Sequence, residues 1–559
     1  MGIPVYFSHI IKKYNFILKK IHHNTNFDVF FFDANSIIYD IYNDILNNNN
    51  NNNNIINKNN LENEIIQKSI DKINNIINIF KINKEVVICF DGVAPLSKLK
   101  QQRERRFKSY ISKKILKNNE LWNTCNITPG TNFMDKLSLE LKKYNNNFYK
   151  INKDRKEKIV ILDSNENGEG EQKIFNYLKN KYKIKDYSNE NEKNNLNICI
   201  YGLDSDLIML SLLHSNYYTN IKLFRETPEF IKNLNKNLNP DENYLLNITQ
   251  LSTCLCRSLY NQEIIQKNIR NLNKLTFKTN INYIILFFLV GNDFVPHSQS
   301  LSLRLNGADI LIELYEKILQ DNDLFYIKDK KIFINWKSIK MILKELGTIE
   351  YENMNNYHEY KCEIQTKVKK NDKIMNNKNE ILNYIPLFNV EEEEYILSNE
   401  KFYKERNYEL TFGTDYNKKD ICYQYLKNIE WNLLYYLGDE RCNLNYYYPY
   451  YHAPFFSDLV DYVPSSFETL YDKNNIKNEY IHPLTQILYI FPSNYYNLIK
   501  TDYLKDIEKI KNNDLYKDLF DNPENLIIDI DHNFVKYFFE SSIHFKQFNI
   551  LSLDKEIKK

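Results

Sequence analysis

Short apolar runs that close on an acid recur through the first half of the chain, with helical patterns between them. Val29-Phe30-Phe31-Phe32 ends in Asp33, and Val86 to Phe90 ends in Asp91. Lys158 to Leu162 leads, after a loop, to Gly168-Glu169-Gly170-Glu171, and Ile198 to Tyr201 leads to Gly202-Leu203-Asp204-Ser205-Asp206. Runs this short, β-branched or aromatic and without polar alternation, read as strands buried on both faces. Ile65 to Phe80 and Lys173 to Tyr182 carry helical periodicity. A fifth apolar run, Tyr283 to Val290, ends in Gly291-Asn292-Asp293-Phe294, and periodicity leaves it open between strand and buried helix. Alternating strands and helices imply right-handed crossovers and an α/β fold: a mostly parallel twisted sheet with helices on both faces. Such sheets bind ligands at the carboxyl ends of their strands. Asp33, Asp91, Asp204 and Asp206 therefore gather along one edge. Gly168 and Gly170 permit close backbone approach, so Glu169 and Glu171 can face the same cavity.

The stretch from Phe90 to Phe107, FDGVAPLSKLKQQRERRF, adds charge of the opposite sign. Asp91-Gly92 breaks the strand, and Pro95 suits the first turn of a helix. Lys98, Gln102, Arg105 and Arg106 then fall at i, i+4, i+7 and i+8, on one helical face. Four long donors so placed can close around a phosphate. A solvated basic face is the ordinary alternative. Asp91 weighs against it, because a carboxylate and a phosphate repel each other unless a metal cation lies between them.

Seven acids end apolar segments or occupy tight glycine turns: Asp33, Asp91, Glu169, Glu171, Asp204, Asp206 and Asp293. Singly, each would pass as a cap or loop residue. Buried together they would repel and titrate upward. Hard oxygen-seeking cations, Mg²⁺ or Mn²⁺, resolve this, and two such ions about 4 Å apart can clamp the attacking and leaving oxygens of a phosphodiester.

Size and composition narrow the picture further. With 559 residues, 43% hydrophobic and 14% aromatic, the chain can bury a large core and form more than one lobe. A net charge of +2 gives no bulk signal for nucleic acid, so any such binding rests on local patches. The eight Cys lack zinc-site spacing and read as reduced thiols. Apolar runs are too short to span a bilayer, and MGIPVYFSHIIKKY has no signal-peptide core. Asn- and Lys-rich tracts near 47–60 and 186–197 read as looped insertions. We expect a first domain over 1–337, a charged connecting segment over 338–394, a second mixed lobe over 395–545 packed against the first, and a tail over 546–559. Tyr446 to Pro454, rich in Tyr and Pro, is expected to be irregular.

These motifs carry a resemblance. MGIP, FDANSII (Phe32–Ile38), the Phe90–Phe107 stretch, ITPGTNFM (Ile127–Met134), GEGEQKI (Gly168–Ile174), YGLDSDLIML (Tyr201–Leu210) and LVGNDFVPH (Leu289–His297) resemble, in order, the XRN 5′→3′ exoribonucleases. WNLLYY (Trp431–Tyr436), YYYPYYHAP (Tyr446–Pro454) and HPLTQIL (His482–Leu488) look like that family's second conserved region. The Gly-Glu-Gly-Glu and Leu-Asp-x-Asp motifs alone indicate the wider flap-nuclease (PIN-like) superfamily; the basic helix and GNDFVPH point to the XRN branch.

The resemblance implies metal-site roles for the seven acids, with Asn35 beside them. It implies a pocket for the 5′-terminal phosphate of single-stranded RNA at Lys98, Gln102, Arg105 and Arg106. Two Mg²⁺ or Mn²⁺ ions would support hydrolysis to nucleoside 5′-monophosphates, in RNA decay or processing, in the nucleus or cytoplasm and away from membranes. The sequence departs from the family in places. Tyr39 stands where relatives carry a stacking His, Ser36 replaces Gly, Gln172 replaces His, and Leu444 and Tyr446 replace Trp. Tyr537 aligns with a stacking Trp. A structure-specific flap DNA nuclease and a non-catalytic RNA-binding scaffold are the alternatives.

Overall fold

Seven strands form one sheet: β1 (Leu18–Lys20), β2 (Asn26–Asp33), β3 (Lys81–Cys89), β4 (Lys158–Leu162), β5 (Asn194–Tyr201), β6 (Tyr218–Arg225) and β7 (Tyr244–Asn247). Their spatial order is β1-β7-β6-β5-β2-β3-β4. The five strands from β2 to β6 run parallel to their neighbours, and β7 and β1 are antiparallel additions at one edge. This computed structural model describes residues 3, 5–22, 25–52, 58–117, 122–151, 155, 157–183, 194–202, 204–227, 231–236, 238–268, 271–319, 322–465, 469–471 and 478–559. The helices that matter to the site are α1 (Tyr6–Lys13), α2 (Asn35–Asn52), α3 (Lys58–Ile79), α4 (Leu96–Leu116), α5 (Asn132–Ile151), α6 (Gly170–Lys181) and α7 (Ser205–His214).

The pleat of β2 explains the unbroken apolar runs. Phe30 and Phe32 point into a core shared with Ile37 of α2, Ile77 of α3 and Leu137 of α5. Val29 and Phe31 point the other way, into a core shared with Ile174 and Phe175 of α6 and Leu207 of α7. β3 and β5 divide in the same manner: Val86, Ile88 and Cys199 to one side, Val87, Ile198 and Ile200 to the other. With helices on both faces the carboxyl halves of these strands are apolar on both sides, so period-2 alternation disappears there. Parallel register aligns the carboxyl ends: Asp33 lies opposite Cys89, which lies opposite Leu162, while Phe32 lies opposite Tyr201.

The run Tyr283 to Val290 resolves as the end of a helix, Leu272–Phe288, buried on every side from Ile281 onward. Lack of any polar face is what hid its period. At the start of β5, Asn194 already pairs with Tyr218, and Asn197 with Asn220, so the polar tract near 186–197 gives way to strand earlier than its composition indicated. Residues 184–193 lie outside the described residues. The Asn tract near 47–60 falls partly in helix, since α2 continues to Asn52 and α3 begins at Lys58.

Pro95 occupies the N-cap of α4. Leu96, Leu99 and Phe107 of α4 pack against Leu484, Ile487 and Leu488 of the Pro483–Ile490 helix and against Ile543 and Phe545 of the last strand. The basic helix is thus clasped by segments almost four hundred residues downstream. The charged stretch after residue 338 is largely helical, including Glu350–Lys369, whose Met354 and Tyr357 join a small core with Tyr408 and Phe455. Tyr446 to Pro454 is irregular. Of the eight free Cys, seven are buried and Cys362 is half-buried. Among the described residues, no helix is long and apolar enough to cross a membrane.

Candidate active site

The sequence-predicted acids meet at the carboxyl edge of the sheet. Asp33 is the last residue of β2, Asp91 lies just past β3, and Glu169 and Asp204 occupy the N-cap positions of α6 and α7. Glu171 and Asp206 sit in the first turns of the same two helices, where the positive end of the helix dipole favours a carboxylate. Neither N-cap acid spends its side chain on capping, so both remain available to the crevice. Asp293 arrives from the loop beyond the 272–288 helix. There Gly291 adopts φ 89°, and a β-carbon on it would strike the backbone of His297.

Local hydrogen bonds fix these carboxylates. Asn35 Nδ2 donates to Asp91 Oδ2 at 2.6 Å, and the Asp91 amide donates to Asn35 Oδ1 at 3.2 Å. The Gly170 amide donates to Asp91 Oδ1 at 2.6 Å. A methyl group on Gly170 would stand 2.6 Å from Asp33 Oδ1 and 3.4 Å from Asp91 Oδ1, so that glycine is the floor on which the two carboxylates rest. Tyr435 OH donates to Glu169 Oε2 at 2.7 Å, and Tyr436 OH donates to Asp206 Oδ1 at 3.0 Å. Both tyrosines come from the end of the helix Lys418–Leu437. They are buried core aromatics by composition, and only their hydroxyls betray the site.

Electrostatics follow from the crowding. Loss of solvent pushes Asp33 well above the carboxylate range, and the charges of Asp91, Asp204 and Glu169 add to it. Desolvation likewise raises Glu171, helped by Asp206 and Glu169. Asp206 is pushed up to about 7 by burial and then by Asp293. Asp293 goes the other way: burial would raise it, but the Lys98 ammonium holds it down at about 2. Lys98 Nζ lies 2.8 Å from Asp293 Oδ2 and 3.0 Å from Glu169 Oε1. Burial works against its charge, yet Asp293 and Glu169 keep it protonated well above its usual range. Lys98 therefore stands among the carboxylates, while the other three donors of its helix face lie beyond them. The acids span a crevice broader than one ion's shell: among the described residues, no three of the seven offer oxygens all within 4.8 Å of one another. An all-oxygen set in which desolvation opposes charge suits a hard divalent cation.

The cationic side lies about two helical turns further along α4. Arg106 is buried; it donates to Thr128 Oγ1 at 2.8 Å and to the Ile127 carbonyl at 3.3 Å, and reaches Tyr39 OH at 3.5 Å. Its Nε–H is buried with no hydrogen-bond partner among the described residues. Burial would raise the Tyr39 hydroxyl, but Arg106 and Arg105 together bring it below its ordinary value. Gln102 Oε1 accepts from Gln486 Nε2 at 3.5 Å, which leaves the Gln102 amide NH₂ to donate. Gln486 in turn accepts from the Ala94 amide at 3.1 Å. Arg103, on the opposite face, is a core residue stacked 4.1 Å from the Phe545 ring.

A cavity of about 270 Å³ opens beside Asp293, walled by Gln101, Tyr451 and Phe539. A second, of about 300 Å³, lies between Arg105, Lys108 and Phe539. Tyr537 borders neither cavity. Its ring stacks on Phe539 at 5.2 Å and packs on Tyr384 at 5.5 Å, and its amide is held by Glu540. Phe539, 54% exposed, is the aromatic face presented to both cavities. Alignment by motif passed over it because two phenylalanines, Phe538 and Phe539, adjoin Tyr537 and nothing in the spacing separates them.

Comparison with known proteins gives the following. A model of the XRN 5′-3′ exonuclease N-terminus matches residues 1–227, and a model of the Xrn1 helical domain matches residues 279–395 and 391–531. The human 5′-3′ exoribonuclease 1 is 26% identical over 568 residues, covering 90% of this chain and 31% of that protein. The Saccharomyces cerevisiae 5′-3′ exoribonuclease 1 is 30% identical over 63% of this chain and 23% of its own length. The Candida glabrata 5′-3′ exoribonuclease 2 is 29% identical over 52% of this chain and 31% of its own. The chain thus spans about a third or less of the length of these relatives.

Two outcomes follow from the geometry. Burial raises Asp33, Glu171 and Asp206, so a divalent cation taken up by them competes with protons and its affinity is expected to rise with pH. Below the value of about 7 at Asp206 the rise is about tenfold per pH unit for each proton released. Manganese titrations followed by electron paramagnetic resonance between about pH 6 and about pH 8 measure this slope, and an affinity independent of pH would refute it. Gly170→Ala keeps a good helix former at the start of α6 but turns the Asp33 carboxylate aside. Cation affinity is expected to drop roughly tenfold or more with the thermal midpoint nearly unchanged, and equal affinity would show that Gly170 is no floor.

Proposed function

Because the chain belongs to the XRN 5′-3′ exonuclease family, we propose that it is a metal-dependent 5′→3′ exoribonuclease. It would degrade single-stranded RNA bearing a 5′-monophosphate and release nucleoside 5′-monophosphates. The observation that carries this reading is the buried, unpartnered Nε–H of Arg106, set in a guanidinium pocket that adjoins the carboxylate crevice. A buried donor left without an acceptor is costly, and an anionic oxygen arriving from outside removes the cost. The relatives, 5′-3′ exoribonucleases 1 and 2, support the same activity.

Asp33, Asp91, Glu169, Glu171, Asp204, Asp206 and Asp293 would hold divalent cations, Mg²⁺ or Mn²⁺, and a set this widely spread suits two ions better than one. When bound, such ions supply a hydroxide-like nucleophile and neutralise charge on a phosphodiester. The chain's own groups do the rest. Arg105, Arg106 and the Gln102 amide grip the terminal phosphate, Arg by its planar fork. Lys98 can serve carboxylates or phosphate but not both in full; with cations neutralising Glu169 and Asp293, its ammonium is available to the phosphate. Tyr39 offers a ring beside the two arginines, and Phe539, with Tyr537 stacked beneath it, offers a face on which a base can lie. Asn35 orients Asp91. Tyr435 and Tyr436 hold Glu169 and Asp206 and keep water from one side of them. Since only Gly92 to Pro95 separate Asp91 from α4, end recognition and cleavage stay about one nucleotide apart. In this reading residues 1–337 form the nuclease domain, and the second lobe, 395–545, closes over it by way of the 338–394 connector. The cell compartment is nucleus or cytoplasm.

Asp206→Asn is expected to reduce hydrolysis of 5′-phosphorylated RNA in Mg²⁺ by at least about a hundredfold while leaving RNA binding within about threefold; unchanged turnover would remove the carboxylates from the chemistry. Arg105→Ala with Arg106→Ala is expected to erase the preference for 5′-monophosphate over 5′-hydroxyl RNA, roughly tenfold to a hundredfold in kcat/KM. Retained discrimination would place the pocket elsewhere, and faster cleavage of a DNA flap than of RNA would overturn the substrate class.

A further inference from the structure

Three side chains outside the carboxylate crevice converge on one point. His452 Nε2 lies 3.2 Å from His544 Nε2 and 2.9 Å from Asp531 Oδ2. Ligand atoms of all three fall within 4.8 Å of one another, and among the described residues theirs is the one His, Cys, Asp and Glu group that does so. They come from two places in the chain. His452 ends the irregular Tyr-rich segment. Asp531 and His544 belong to a hairpin, Ile527–Asp531 paired with Ser542–Phe545, where Asp531 faces Ser542 and His544 faces Asp529. Opposed residues share a face of a ladder, so Asp531 and His544 are diagonal neighbours on that face. Asp531 Oδ1 is already taken by the Asn533 amide at 2.6 Å, which turns Oδ2 toward the two imidazoles. Lys100, the α4 cation facing His544, is turned aside: it donates to the Tyr450 carbonyl and lies 3.7 Å from the Tyr451 ring centre.

Hydrogen bonding alone accounts poorly for this arrangement. Two Nε2 atoms at 3.2 Å can share one proton, and the carboxylate competes for the same one. Zinc–nitrogen bonds of about 2.0–2.1 Å set two tetrahedral ligands about 3.4 Å apart, so a change of a few tenths of an ångström would turn these contacts into the edges of a coordination shell. We propose that His452, Asp531 and His544 form a site for a divalent first-row transition ion, zinc foremost. The two imidazoles make it a poor site for Mg²⁺, which takes oxygen ligands. His452 and Asp531 line the cavity beside Asp293, so a fourth position is open to solvent from that side. The ion staples the hairpin to the Tyr-rich segment and so fixes the turn that carries Phe539. This site is independent of the nuclease reading, since it shares no ligand with the acid crevice.

The test is zinc content of the full-length protein after dialysis in excess Mg²⁺, by mass spectrometry, for wild type, His544→Gln, Asp531→Asn and Asp206→Asn. We expect one equivalent in wild type and in Asp206→Asn, and loss of that equivalent in the first two variants. Cobalt loaded into wild type, where folding is not in question, is expected to give intense d–d absorption without a thiolate charge-transfer band. Zinc absent from wild type, retained in both His544→Gln and Asp531→Asn, or lost only in Asp206→Asn would overturn the proposal, as would a cobalt–thiolate band. None of these results bears on whether the acid crevice hydrolyses RNA.

Discussion

Mutual repulsion among desolvated carboxylates is the constraint around which the molecule is arranged. A sheet covered on both faces leaves the carboxyl halves of its central strands apolar, so the acids of the crevice sit where those strands end. Register then decides the outcome: Asp33 and Cys89 are opposed, with Asp91 two residues beyond, and the N-termini of α6 and α7 add Glu169, Glu171, Asp204 and Asp206. Burying several acids together is unfavourable unless each finds a donor or a counter-charge. The Gly170 amide, Asn35, Lys98, Tyr435 and Tyr436 supply them to Asp91, Glu169, Asp206 and Asp293. Two of these five come from the second half of the chain. The edge of the sheet and the helix Lys418–Leu437 therefore depend on each other, and the acids could not remain where they are without those hydroxyls.

Lys98 gives this balance its direction. It is the cation most deeply set among the acids, and it keeps Asp293 ionised at about 2 while Asp206 is pushed up to about 7. A single ammonium can neutralise part of such a set but not all of it. The remaining repulsion is what makes the crevice selective for further positive charge. Arg105 and Arg106, both about two turns along the same helix, lie beyond the acids: Arg105 adds only a minor pull on Asp293, and the Arg106 Nε–H is left for an anion. One helix thus offers a charge that completes the acid set and charges that do not, and the difference is distance along its axis.

The sequence disclosed the parts that obey local periodicity. Strand ends, the acids upon them and the shared face of Lys98, Gln102, Arg105 and Arg106 are all matters of spacing, and the helices on both faces follow from unbroken apolar runs. The 272–288 helix was ambiguous for a physical reason: buried all round, it has no polar stripe to count. Tyr435 and Tyr436 were invisible as site residues because a tyrosine at the end of an apolar helix looks the same whether or not its hydroxyl meets an acid. Gln486 and Phe539 were missed because their partners lie hundreds of residues away, and the polar start of β5 was missed because its asparagines bond across strands, Asn220 Nδ2 donating to Asn197 Oδ1 at 2.8 Å.

His452, Asp531 and His544 carry this point furthest. No sequence spacing connects a histidine in an irregular segment with a diagonal pair on a hairpin, yet the three are brought together, and two of them, His452 and Asp531, line the same cavity as Asp293. The hairpin needs such an anchor. Its turn holds Phe539, largely exposed, and is tied on one flank by Glu540 accepting from Arg304 at 2.6 Å and from the Lys536 and Tyr537 amides. A two-stranded ribbon is marginal on its own, and here it must keep an aromatic ring at a fixed height above α4. Arg304 and Glu540 secure the turn; His452, gripping Asp531 and His544, secures the strands. Remove the second grip and the first leaves a hinge, so the position of Phe539 over the arginines is set as much by the far end of the hairpin as by the turn itself.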